Sequence, residues 1–558
     1  MRNTLRVTRR SVFSHVPTAL TALSTLGHGV GAQPEEHESV EAQTGLGRVR
    51  GMKSPDLATF KGIPYGGSVS GAFRFKAAPA AKPWNGVRDA LRLGPPALQP
   101  GQRRNEPAQE EDCLVLNVWT PAVDRRKRPV MFYSHGGGFT TGSAGAAYQD
   151  GANLARTFDV VVVATNHRLG LMGYLYLGEL GGEEFATSGN QGMLDIRGGL
   201  KWVQENIGSF GGDPDNVMIF GESGGGAKTS CLYAMPSAAP YFRKASIESG
   251  PGIRMMPRDA AAETTLMLMK ELGIEKGEWR RLLEVPADKL VSAQGALSRS
   301  GGGPLGMNNG RKGMSGNARP GGFGPVVDGV ILPRHPFDPG APEISKNKPL
   351  IVGWNRDETA FFFQQQRNTE VFKLTETALK ERLAKEFGQN SEAIHDTYRK
   401  SRPEASPTDL YIAITSARMI GIGAATIAER KVSQGGAPAY MYMFTHESDQ
   451  LVSGTQHKVG AAHALEIPYK FYVVRPEQQA GGVSGMMAIT TPESKKAAHN
   501  MAEMWSNFAR TGKPSAKGQP EWPAFSLSKR ATMEINTECR VVNDPSNLER
   551  KLWERLDP

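Results

Sequence analysis

A serine set among glycines, in Gly221-Glu222-Ser223-Gly224-Gly225, is the group in this 558-residue chain best suited to covalent chemistry. A serine hydroxyl is a weak nucleophile near neutral pH. Attack on a carbonyl needs a base to take its proton and an anion to orient that base. Residue type leaves both partners open among 11 histidines and 56 acidic residues: His457 and His463 could each be proposed as the base, and the adjacent Asp357 and Glu358 each as the anion. Donors are also needed for the negative charge that grows on the carbonyl oxygen. His135-Gly136-Gly137-Gly138-Phe139 can offer them, because successive glycines leave backbone N–H groups unobstructed. A chain with 65 glycines can produce Gly-x-Ser-x-Gly by chance, so the assignment depends on the elements around it.

Those elements read consistently. Asn216 to Phe220 is an apolar run of strand length, and Gly226 to Leu232 can start a helix, so Ser223 falls on a strand–turn–helix elbow that exposes its hydroxyl. Val130 to Ser134 is a second buried-strand candidate and ends in the glycine tract. Val160 to Asn166 has no polar alternation, as expected for a parallel strand covered on both faces. Asp195 to Gly208 places Ile196, Leu200, Val203 and Ile207 on one helical face. Shorter β-like segments at Gly45–Arg50 and Thr59–Tyr65 precede them. Ala245–Gly250, Pro349–Trp354 and Ala439–Phe444 follow as strands, with helices over Ala260–Leu272, Thr375–Phe387, Asp409–Val432 and Lys495–Arg510. This alternation predicts an α/β protein with a mostly parallel sheet and crossover helices.

Phe60-Lys61-Gly62-Ile63-Pro64-Tyr65, Phe73-Arg74-Phe75, Pro83-Trp84-Asn85-Gly86-Val87 and Glu111-Asp112-Cys113-Leu114-Val115-Leu116-Asn117-Val118-Trp119 carry a wider likeness. From about Thr44 to the final helix the chain resembles the type-B carboxylesterases, a family that includes the cholinesterases. The resemblance implies an α/β-hydrolase fold with insertions around the site, no cofactor, no metal, and hydrolysis of small-molecule carboxylic esters through an acyl-serine. It also implies Ser223 as nucleophile, His463 as general acid/base and Glu358 as the orienting carboxylate, with the N–H groups of Gly137, Gly138 and Gly224 holding the oxyanion. Phe139, Phe361 and Phe362 are candidates to line an apolar pocket.

The chain departs from the family at several points. Gly224 stands where alanine is usual, which leaves more room near the acyl group, and Val115 replaces a tyrosine, threonine or phenylalanine. Cys113 has no upstream cysteine to close the family's usual disulfide loop, and no tryptophan lies between Leu98 and Asp112 to receive a quaternary ammonium. Choline esters are therefore not the expected substrates. Two alternatives share this fold: a hydrolase for a specialised ester or carbamate, and a noncatalytic binding protein, which would normally lack a triad member.

Hydrophobic content of 39% with 22% charged residues fits a globular protein, and no uninterrupted apolar stretch of bilayer length is evident, so no stable membrane insertion is expected. The first 32 residues hold Arg2, Arg6, Arg9 and Arg10 and no acid. Thr8-Arg9-Arg10-Ser11-Val12-Phe13 and the small residues ending at Ala32 read as a twin-arginine-like export signal, with residues 33–558 as one catalytic domain and an exported destination. Subtracting those four charges takes the formal net charge from +10 to +6. That excess is too diffuse for a nucleic-acid partner, and Arg125 to Arg128 reads as a solvated loop. The three cysteines have neither zinc nor disulfide spacing. Residues 298–324, with ten glycines after residue 300, predict a mobile loop. Oligomeric state has no signature in the sequence.

Overall fold

Strand runs in which every side chain is apolar can be buried only if both faces of the sheet are covered. In the computed structural model, which describes residues 38–102, 105–300, 320–474 and 489–556, they are. Residues 1–32, read above as an export signal, and most of the glycine-rich stretch, 301–319, lie outside the described residues. The helix Ala287–Ser300 takes the first three positions of that stretch.

The strands are β1 (Ser39–Thr44), β2 (Gly47–Ser54), β3 (Leu57–Pro64), β4 (Val87–Asp89), β5 (Val115–Thr120), β6 (Arg128–Ser134), β7 (Val161–Thr165) and β8 (Gly212–Glu222). They continue with β9 (Lys244–Glu248), β10 (Leu350–Asn355), β11 (Ala439–Phe444), β12 (Ser448–Leu451), β13 (Lys458–Gly460), β14 (Ala531–Ile535) and β15 (Arg540–Asn543). All but β12 and β13 join one sheet in the order β1-β2-β3-β5-β7-β6-β8-β9-β10-β11-β14-β15, with β4 beside β2. The run from β7 to β14 is parallel. The outer pairs β1–β2, β2–β3, β3–β5 and β14–β15 are antiparallel.

Alternate residues of the central strands feed two cores. Val130 and Phe132 of β6 join Val161, Val163, Val217 and Ile219 on one face. Met131 and Tyr133 join Val162, Met218 and Phe220 on the other. Each such side chain contributes about 1.5–3 kcal/mol when fully withdrawn from water, which fixes the register that aligns the strand ends.

That alignment positions the chemistry. Chain order reverses around β6, which lies between β7 and β8, and a crevice forms beyond the carboxyl ends of strands at such a point. β6 ends at the glycine tract, β8 at Ser223 and β10 three residues before Glu358.

The helix expected over Asp409–Val432 runs over Pro407–Ser433. It is long and apolar enough to cross a bilayer, with mean hydropathy 1.5, but 72% of its apolar window is buried within the fold. It is a core helix, interrupted by a π-helical turn at Ala417–Gly421. The last long helix is Pro492–Thr511, and a shorter one, Asn547–Leu556, follows. Cys113, Cys231 and Cys539 are free and buried.

Candidate active site

Ser223 links the end of β8 to the helix Gly224–Ala234, with φ 58° and ψ −122°, a backbone conformation that residues with a side chain rarely adopt. Close packing holds it there. A Cβ on Gly225 would fall 2.0 Å from the Ser134 carbonyl oxygen, and one on Gly221 would fall 2.4 Å from the Gly225 carbonyl. The Ser223 N–H donates to the Glu248 carbonyl at 2.8 Å. The helix begins two residues before Gly226, so the closing glycines of the pentapeptide form its first turn.

His463 reaches the serine from a loop after β13. Its Nε2 lies 2.8 Å from Ser223 Oγ, and its Nδ1 lies 2.6 Å from Glu358 Oε2. Glu358 begins the helix Glu358–Gln365 and is fully buried, and its other oxygen accepts the Asn355 N–H at 2.8 Å. The competing residues are engaged elsewhere. Asp357 accepts from the Arg356 guanidinium and from the Ala461 N–H, and His457 Nε2 lies 2.9 Å from Asp409.

Composition gave no hint of how many further charges surround this histidine. Glu222 Oε1 is 3.3 Å from His463 Nε2, without hydrogen-bond geometry. Glu466, one helical turn after His463, accepts from Asn355 Nδ2 at 2.5 Å and from the Ser249 hydroxyl at 3.4 Å. Glu248 accepts from the Lys470 ammonium, the Ser246 hydroxyl and the Trp505 indole N–H. Burial raises Glu222 well above the usual carboxylate range, raises Glu248, and pushes Glu466 up to about 7. Burial alone would lower His463, but Glu222, Glu358 and Glu466 outweigh it and hold its pKa up at about 9. Groups this close titrate together, so a proton taken up here belongs to the cluster rather than to one residue. Two of these carboxylates had a weak signal: Glu222 lies inside the pentapeptide, and Glu466 is three residues from His463.

The glycine tract curls over the serine. Gly137 and Gly138 have φ of 87° and 63°, and among the described residues no protein acceptor takes the N–H of Gly137, Gly138 or Gly224. The expected free space beside Gly224 is absent. A Cβ there would lie 2.1 Å from the Gly138 carbonyl oxygen and 2.4 Å from its nitrogen, because the loop itself fills the position. Phe139 is also corrected. It is 1% exposed and packs edge-on against Tyr174 at 5.4 Å, as core. Phe361 and Phe362 are half-buried and tilt against the His463 ring at 5.7 and 4.7 Å, whereas Phe363 turns into the core against Tyr411. No group of three His, Cys, Asp or Glu side chains placed to hold a metal occurs among the described residues.

With this geometry in place, the comparisons with known proteins are decisive: residues 36–553 match the carboxylesterase family. The chain belongs to the carboxylesterase family. A para-nitrobenzyl esterase of Bacillus subtilis is 33% identical over 92% of this chain and 98% of its own. A fumonisin B1 esterase of Sphingopyxis macrogoltabida is 32% identical over 89% and 86%. Among solved structures, a Geobacillus stearothermophilus carboxylesterase superposes with TM-score 0.76 at 35% identity, covering 92% of this chain and 99% of that one. The fold is that of the α/β-hydrolases, and this carboxylesterase is a carboxylic ester hydrolase acting on small-molecule esters.

Proposed function

We propose that Ser223, His463 and Glu358 are the catalytic triad of this carboxylesterase and that Gly137, Gly138 and Gly224 supply its oxyanion donors. The observation that carries the reading is the continuous hydrogen-bonded chain from Glu358 through His463 to Ser223. Ser223 Oγ attacks the ester carbonyl as His463 Nε2 takes its proton, and Glu358 stabilises the resulting imidazolium. The tetrahedral oxyanion is held by the three backbone N–H groups. His463 then protonates the leaving alcohol. Water, deprotonated by the same histidine, releases the acid and restores Ser223.

Phe361 and Phe362 form an apolar wall over His463, which favours uncharged acyl or alcohol groups. The resemblance to a fumonisin B1 esterase supports a second, narrower reading, a specialised ester, and that compound belongs in the substrate panel. We read residues 1–32 as an export signal. An exported product beginning near Gln33 is expected, and a retained, uncleaved chain would remove that reading.

Initial rates on p-nitrophenyl esters from acetate to palmitate test the triad. Ser223→Ala and Glu358→Gln should lose activity by about 10³-fold or more, whereas Asp357→Asn should remain within a few-fold of the parent. Near-full activity in Glu358→Gln with loss in Asp357→Asn would reverse the acid assignment.

A further inference from the structure

Lys228 lies five residues after Ser223 on the helix that the nucleophile opens, and its side chain is completely buried. A buried ammonium is expensive unless something compensates it. No carboxylate pairs with it among the described residues, and burial lowers its pKa to about 7. Its Nζ donates at 2.9 Å to the His135 carbonyl oxygen and sits 5.9 Å from the centre of the Phe139 ring. These residues are the two ends of the glycine tract. Between them are only glycines, which have no side chains with which to anchor themselves. Further ties of the tract include those from the Thr141 N–H and hydroxyl to the Gly137 carbonyl, and from the Gly170 N–H to the Phe139 carbonyl. At the other end the His135 ring stacks on that of His167 at 4.5 Å, and the Lys228 ammonium holds the His135 backbone. A methionine would fill the same space without the burial penalty, but could not donate to that carbonyl.

We propose that Lys228 is a positioning residue for the oxyanion loop, its ammonium joining both ends of His135–Phe139 so that the Gly137 and Gly138 N–H groups stay beside Ser223. The inference rests on the acyl-serine reading above and deepens it. Lys228 touches no reacting atom and acts through the loop, as oxyanion donors are effective only when held in place before charge develops.

The test uses the full chain with Lys228→Met, Lys228→Gln and Ser223→Ala. Rates are normalised to the serine titrated by a fluorophosphonate, and a trifluoromethyl ketone serves as second probe. In that adduct Ser223 Oγ bonds to the ketone carbon, its proton passes to His463, and the carbonyl oxygen becomes an oxyanion. Lys228→Met should lower kcat roughly 10- to 100-fold, the scale of an ångström-level misplacement. KM should stay within about twofold, and ketone affinity should weaken in parallel with kcat. Lys228→Gln, which can still donate to the His135 carbonyl, should recover most of both. If Lys228→Met does not fold, Lys228→Ser, too short to reach that carbonyl, carries the same expectation. Unchanged kcat and ketone affinity per titrated site, with only a lower Tm, would overturn the proposal and leave Lys228 a packing residue. Full turnover in Ser223→Ala would instead remove the acyl-serine reading itself.

Discussion

Glu222 is the residue that changes how the site should respond to pH. As the proposed general base His463 must be neutral to accept the serine proton, so on that reading kcat/KM rises with pH through the histidine's apparent pKa. Nearby carboxylates favour its protonated form and move that limb above the ordinary histidine value of 6.5. Glu222 is the first of them. Glu222→Gln removes its charge while keeping its shape, and the acid limb of the pH–rate profile should move to lower pH. An unmoved limb would mean that Glu222 carries its own proton throughout, as its burial favours. The profile therefore reads which member of the pair holds the proton.

The elbow and the glycine tract form one unit at the level of elements. Ser223 holds a strained turn because β6, β8 and the following helix approach so closely that only glycine fits at 221 and 225. At 224 the same crowding comes from the tract itself. Gly224→Ala should push the Gly138 backbone away and lower kcat/KM by about tenfold or more, chiefly in kcat, since misplacing one of the proposed oxyanion donors acts on the transition state. Unchanged kinetics would show that the tract adapts at no cost. The sequence located the helix after Ser223 but not its start, because its opening Gly-Gly-Gly has low helix propensity and is held by tertiary packing. Strands were easier to read. Val161–Thr165 and Leu350–Asn355 each fall within a residue of the expected ends, since burial on both faces demands an unbroken apolar run.

Across the whole molecule, a buried ion pair ties distant elements behind the site. Glu248 at the end of β9 meets Lys470 and also accepts from Trp505 of the helix Pro492–Thr511, and neither charge is exposed. Breaking one side leaves an uncompensated charge. Lys470→Met should destabilise the fold by about 3–5 kcal/mol, and adding Glu248→Gln should restore most of it. Urea-denaturation midpoints with unchanged slopes would measure both. Equal stability in the single and double variants would mean that Glu248 protonates when its partner is lost. The 407–433 helix belongs to the same scale: its composition meets the length and hydropathy of a bilayer span, and only its burial among other elements identifies it as core.

The sequence by itself determined the kind of protein this is. A Gly-x-Ser-x-Gly between an apolar strand and a helix, a glycine tract at the end of an earlier strand, and alternating strand and helix runs are local patterns, set by backbone sterics and burial periodicity. Residue type could not choose between Asp357 and Glu358 or between His457 and His463, and only the family resemblance pointed to Glu358 and His463. Tertiary structure decided that pairing, because His463 meets partners 105 and 240 residues away, and which neighbour points inward depends on where β10 ends and how the loop after β13 returns. It also decided the meaning of Gly224, Phe139, Glu222, Glu466 and Lys228. Space, exposure and electrostatic field at a position are properties of what packs against it, and segments far apart in the chain supply that packing.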